Sequence, residues 1–145
     1  MNAQIAPNRE SVFTRIGRLL DLKVESEADL FRIGQGGITS HAFRRATSKL
    51  DLPLDLIGPA TTIRRRLEAN QRFNTAESER LLRVARVYAE AAALFGDEAA
   101  TKAWMNAATE FVPGQPPVTP VQLATSDSGA RLIEATILRT AHGIF

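Results

Sequence analysis

Apolar residues recur along this chain at spacings of three and four, the period of one helical face, and few segments alternate with period two. An all-α fold is expected. Val12, Ile16, Leu19 and Leu20 form one stripe of a helix predicted over Ser11 to Leu22. A short helix starting at Ser26 or Glu27 runs to Ile33, where the run Gly34-Gln35-Gly36-Gly37 stops it, glycine being the residue that tolerates a left-handed cap. Ser40 to Leu50 is the next helix. It ends in Leu-Asp-Leu-Pro, because proline disfavours helical geometry in the residue before it. Leu54 to Ile57 makes one turn, Gly58-Pro59 breaks it, and Thr61 or Thr62 caps a helix through about Asn70.

The longest helix begins at Asn74, whose side chain can accept from the free first-turn amides while Glu77 reaches back, a capping box with asparagine in the first position. Leu81, Val84, Ala85, Tyr88, Ala92 and Phe95 then share one face, and Glu79, Arg83, Arg86 and Glu90 the other, with Glu79 and Arg83 spaced for an i,i+4 ion pair. Gly96 stops this helix. A further one is predicted from Ala99 to Ala108 with Trp104 as its core anchor, then an extended, proline-stiffened linker over residues 112–120. Thr119-Pro120 opens a short helix, and residues 126–130 cap a last one that ends at Thr140 or Ala141.

At 145 residues the chain suffices for one domain, or for two small helical subdomains sharing a core. No apolar run approaches the roughly 20 residues that span a bilayer, no secretory signal is visible, and there is no cysteine for disulfides or thiolate metal sites. A cytoplasmic protein without membrane contact is expected. The net charge of +2 is unevenly placed: basic against acidic residues number 5 and 5 over residues 1–40, 10 and 5 over 41–86, and 3 and 6 over 87–145. A basic centre joined to an acidic end suggests two surfaces with different partners.

The basic centre holds Arg64-Arg65-Arg66. Helix, break and helix around Gly58-Pro59 is the outline of a helix-turn-helix, whose second helix lies in the major groove of DNA. On that helix Ile63 and Leu67 face one way, Thr61, Thr62, Arg65 and Arg72 the other, with Arg64 at the flank. Arginine chelates guanine or phosphate, and threonine reaches phosphates or thymine methyls. Charge alone favours a merely solvated face, whereas the geometry supports DNA contact, and both readings stand at this point.

No catalytic constellation competes. His41 and His142 have no neighbours at metal-ligand spacing, and phosphate loop, nucleophile elbow and HExxH are all absent. Neither enzymatic activity nor a metal or other cofactor is expected. The glycine run at 34–37 follows a helix rather than a strand and serves as a helix stop, and Asp97 and Glu98 follow Gly96, where acids complement a helix N-terminus.

Seven ordered motifs then carry a resemblance. Thr62 to Arg66 gives a basic T-[IL]-x-R-R, Glu77 to Arg83 an E-S-[DE]-R-L-x-R, Phe95-Gly96 a helix ending in F-G, and Lys102 to Trp104 a shortened K-A-W in place of K-A-x-x-W. Thr119 to Leu123 gives T-P-x-x-L, Ser126 to Gly129 a [ST]-x-x-G, and Gly143 to Phe145 a G-x-[FY]. In this order the motifs resemble the Xre/MbcA/ParS-type antitoxins, partners of RES-domain toxins, over about residues 12–145. Two departures are the linker after Trp104, which lacks the family's early proline-asparagine, and Ile57 to Thr62, which lacks the isoleucine-serine pair before the threonine.

The resemblance implies an Xre-like helix-turn-helix domain over 1–73 and a toxin-binding domain over 74–145. It further implies neutralisation of a toxin of ADP-ribosyltransferase-like fold that degrades NAD, and repression of the chain's own operon through DNA contact. Thr61, Thr62, Arg64, Arg65, Arg66 and Arg72 would then face operator DNA. His142, Gly143, Ile144 and Phe145 would face the toxin, with Ile144 and Phe145 entering its cleft as a plug, unless the last helix folds Phe145 onto its own core. The last helix is apolar on more than one side through Leu132, Ile133, Ala135, Ile137 and Leu138, and Val87, Ala91 and Leu94 widen the apolar face of the long one, a pattern that predicts a homodimer. The alternative function is a stand-alone helix-turn-helix regulator without a toxin, and a neighbouring toxin-sized reading frame would distinguish the two.

Overall fold

Ser11, Ser26 and Thr39 each stand in extended backbone and accept a hydrogen bond from the amide three residues on, which fixes where three helices begin. These are α1 (Val12–Leu20), α2 (Glu27–Gly36) and α3 (Ser40–Leu50). A 3-10 turn (Leu54–Leu56) and α4 (Ala60–Glu68) follow, then α5 (Thr75–Phe95), α6 (Glu98–Met105), α7 (Pro120–Ala124) and α8 (Asp127–Ala141). The structure, a computed structural model, describes residues 10–141 and 143, and among them the fold is all-α, with one isolated β-bridge.

The ends of α1, α3 and α4 share a device. Asp21, Asp51 and Asn70 adopt left-handed backbone (φ 56°, 51° and 53°), and the next amide donates back to the carbonyl five residues earlier, Leu22 to Gly17, Leu52 to Thr47 and Gln71 to Arg66, at 2.8–3.0 Å. Asp51, not the following proline, therefore closes α3. Helix α2 runs to Gly36, three residues beyond the predicted stop, because the left-handed residue is Gly37 (φ 86°). A side chain there would collide with the Phe73 carbonyl.

Helix α5 is the axle, packed on by α1, α2, α6, α7 and α8. Leu81, Val84, Ala85, Val87, Tyr88, Ala89 and Ala91 are all buried, so its apolar surface covers most of the circumference. Val87 and Ala91, expected to widen a face toward a second copy, are consumed by the chain's own core. The polar side is partly covered as well. Arg83, instead of pairing with Glu79, donates twice to the Thr125 carbonyl at the end of α7 (2.8 and 3.1 Å). Arg86 pairs with Glu27 of α2 and lies over the Phe13 ring, 5.9 Å from its centroid. Glu90 meets Glu134 of α8, and burial together with that second carboxylate pushes the Glu90 carboxyl up to about 7.

Past Gly96, Asp97 caps α6 through the Ala99 amide (3.0 Å), and the helix ends at Met105, short of the predicted Ala108. Met105 and Thr101 are its fully buried residues, while Trp104 is half-buried between Phe95 and Phe111 and so sits at the rim of the core it was expected to anchor. The proline-rich segment is not an extended spacer. Thr109 and Val118 exchange backbone hydrogen bonds (2.9 and 3.0 Å), with Gly114 left-handed in the loop between them, so the segment folds back on itself.

Candidate nucleic-acid interface

Helix α4 begins at Ala60 after Pro59, and neither Thr61 nor Thr62 caps it. Proline's fixed φ prepares the first turn, no side chain accepts from its amides, and both hydroxyls are released for other partners. Ile63 is fully buried and Leu67 half-buried, as the inward stripe predicts. Thr61, Arg64, Arg65 and Glu68 point outward at i, i+3, i+4 and i+7, with Thr62 half-buried beside them. Neither Arg64 nor Arg65 has an ion-pair or hydrogen-bond partner among the described residues.

Arg66 and Arg72 are placed differently. Arg66 pairs with Glu77 at 2.8 Å, the two side chains being 22% and 5% exposed. Arg72 donates to the Gly37 carbonyl at 2.9 Å and pins the segment after α4 against the turn between α2 and α3. In the same place Ile38 donates to the Ser78 hydroxyl (2.9 Å), Ser40 donates to the Gln71 carbonyl (2.8 Å), and Phe43 stacks on Phe73 with ring centroids 4.1 Å apart.

Glu77 joins the two halves of the chain. One carboxylate oxygen accepts from the Asn74 amide (2.8 Å), completing the predicted capping box of α5, and also meets Arg66 of α4. A side chain on Gly58 would reach 3.3 Å from Ile63 and 3.6 Å from Glu77. Arg80 adds a hydrogen bond to the Ile57 carbonyl (2.8 Å), and Arg44 of α3 donates to the Leu67 carbonyl at the end of α4 (3.1 Å). The outward face of α4 thus rides on a helix held at both ends. Sequence reasoning missed Arg44 and Arg80 as supports, since their partners are backbone carbonyls 23 residues away in each case.

Helix α8 buries Ile133 and Ile137, half-buries Leu132, and exposes Ala135 and Leu138, the last at 61%. Gly143 is left-handed and its amide donates to the Thr140 carbonyl (3.0 Å). His142, Ile144 and Phe145 lie outside the described residues, and of the four residues expected at a toxin only Gly143 is placed. No group of three or more potential metal ligands occurs among the described residues, and no helix is long and apolar enough to cross a membrane.

No protein-family model matches the chain. Over 89 residues, 61% of its length, the chain is 35% identical to a protein of Pseudomonas putida named Antitoxin Xre. The match spans about half of that protein, 54% of its length.

Proposed function

We propose that this chain is an antitoxin: a non-enzymatic protein that binds and neutralises a RES-type, NAD-degrading toxin and represses its own operon by contacting DNA. The observation that carries the antitoxin reading is the 35% identity to the Pseudomonas putida protein of that name. The ordered motifs from Thr62 to Phe145 support the RES-type partner. In this reading residues 1–73 form the Xre-like helix-turn-helix part and present α4 to the major groove, and residues 74–145 form the toxin-binding part.

Support for DNA contact comes from the face of α4. Thr61, Arg64 and Arg65 are exposed and uncommitted, and the first-turn amides of the helix are uncapped, all of them donors suited to phosphates and base edges. Thr62 flanks them. Arg66 and Arg72 act in this reading as positioning residues, because their guanidiniums are engaged by Glu77 and Gly37. Two copies would read a two-fold operator, and with Val87 and Ala91 buried, Leu138 on α8 and Phe31 on α2 remain as exposed apolar anchors for a homodimer.

In this proposal His142, Gly143, Ile144 and Phe145 face the toxin, and Ile144 and Phe145 enter its active site as a plug. Co-expression with a RES-domain toxin tests it. The full chain restores host growth and co-purifies with the toxin, and removal of residues 143–145 abolishes rescue without loss of helicity. Absence of both rescue and complex would leave a stand-alone regulator, and a gel-shift titration with the operon's own upstream DNA then decides whether α4 acts alone.

A further inference from the structure

The helices α1, α3 and α5 and the start of α6 line an open cleft of about 370 Å³. Tyr88 of α5 lines it, and although this residue is only 7% exposed its hydroxyl has no hydrogen-bond partner among the described residues. Arg15 and Arg18 come from successive turns of α1 and Lys49 from α3. The Nε of Arg15 is buried without a hydrogen-bond partner. Lys49 has no ion pair among the described residues. A smaller cleft of about 190 Å³ shares Tyr88, Lys49 and Glu98 and continues toward Lys102.

One carboxylate stands before the two guanidiniums. Glu10, immediately ahead of the Ser11 cap, hydrogen-bonds Arg18 and lies 4.0 Å from Arg15. It belongs to no helix, so its departure breaks no helical hydrogen bond. Of the other two acids on the wall, Asp97 already caps α6, and Glu98 lies open at the start of that helix.

We propose that this cleft binds a small phosphomonoester, whose phosphate displaces Glu10 from Arg15 and Arg18 and accepts from Lys49 and the Tyr88 hydroxyl, while its hydroxyl or amine groups face Glu98. Two guanidiniums, an ammonium and a phenol supply donors for all the phosphate oxygens, and a dianion outcompetes the single charge of Glu10. The volume lies at the lower end of the roughly 300–1,000 Å³ of small-molecule sites, the size of a sugar phosphate rather than a dinucleotide. Burial and the nearby Glu98 carboxylate raise the Tyr88 hydroxyl above its ordinary pKa, which keeps it a donor. A DNA backbone fits less well, since each of its phosphates carries one charge where a phosphomonoester carries two.

Calorimetric titration of the full chain with inorganic phosphate and with ribose 5-phosphate, at constant ionic strength set with chloride, tests the site. The expected order is tighter binding of ribose 5-phosphate than of phosphate, roughly threefold tightening in Glu10→Gln and roughly tenfold weakening in Arg18→Gln. Tyr88→Phe, which preserves the ring's packing, weakens binding without loss of helicity. Arg64→Ala/Arg65→Ala leaves it unchanged. Heats no larger than those of chloride for both wild type and Glu10→Gln would overturn the site, and so would binding that survives Arg18→Gln but is lost in the Arg64/Arg65 variant.

Discussion

Glu77 carries three duties on one side chain, and each is a separate term in stability. It caps α5, neutralises Arg66 and backs Gly58, all while 5% exposed. Glu77→Ala removes a cap worth about 1 kcal/mol and strands a half-buried guanidinium, so a loss of about 3 kcal/mol is expected in urea unfolding. Gly37→Ala forces a non-glycine residue to φ 86° against the Phe73 carbonyl and lowers stability by about 1–3 kcal/mol in the same assay. Arg64→Ala and Arg65→Ala change stability by no more than about 0.5 kcal/mol, yet under the proposed DNA contact each should reduce the slope of log affinity for DNA against log salt by about one. A residue at the binding face and a residue under it are thus separable by which observable moves. The sequence announced the Asn74–Glu77 box because both partners lie within one helical turn. It was silent about Arg66–Glu77, whose partners lie on different helices, and it listed Arg66 beside Arg64 and Arg65 because composition does not distinguish a buried pair from a free cation.

Helix starts were legible at Ser11, Ser26 and Thr119, where a hydroxyl leads a periodic run, but the same signal at Thr61 and Thr62 marked no cap. The ends of α3 and α4 were expected about where they fall, but the left-handed closures by Asp21, Asp51 and Asn70 were not read, because aspartate and asparagine start helices as readily as they end them, and only the backbone decides which. The fold-back of the linker escaped for a further reason: one pair of hydrogen bonds between Thr109 and Val118 leaves no period in the sequence. Helix α5 shows the limit of a single-stripe reading. Its charged side is partly covered by α2 and α8, with Glu79 left exposed, and Glu90 and Glu134 are pressed together with Glu27 and Arg86 close by. The Glu90 carboxyl, raised from 4.5 to about 7, binds its proton more tightly in the folded than in the unfolded chain. Its contribution therefore favours folding below about pH 4.5 and falls away as pH rises from there through about 7. The urea midpoint should decline between pH 5 and pH 8. Glu90→Gln, which cannot ionise, should remove most of that decline and leave the variant more stable than wild type at pH 8.

At the scale of the molecule, the charge counts along the chain described a basic middle and an acidic end, and the fold sets the free arginines of α4 and the exposed face of α8 on different helices of one body. Dimerisation through α8 is open to a direct check. Leu138→Glu leaves the fold intact and lowers the mass measured by light scattering to that of a monomer, if the exposed leucine is an anchor. The faces proposed for DNA and for a toxin share a single core, in which Phe43 and Ile63 lie in one cluster with Leu81 and Ile133 around α5. A division of labour at residue 73 is therefore no division of folding. A fragment ending there would lose α5, on which α1 and α2 pack, and heat should unfold the whole chain in one transition. That unity governs lifetime. A protease attacking the opened chain finds no resistant half to spare, so cleavage would erase the surfaces proposed for DNA and for a toxin together and at one rate, rather than spare either one.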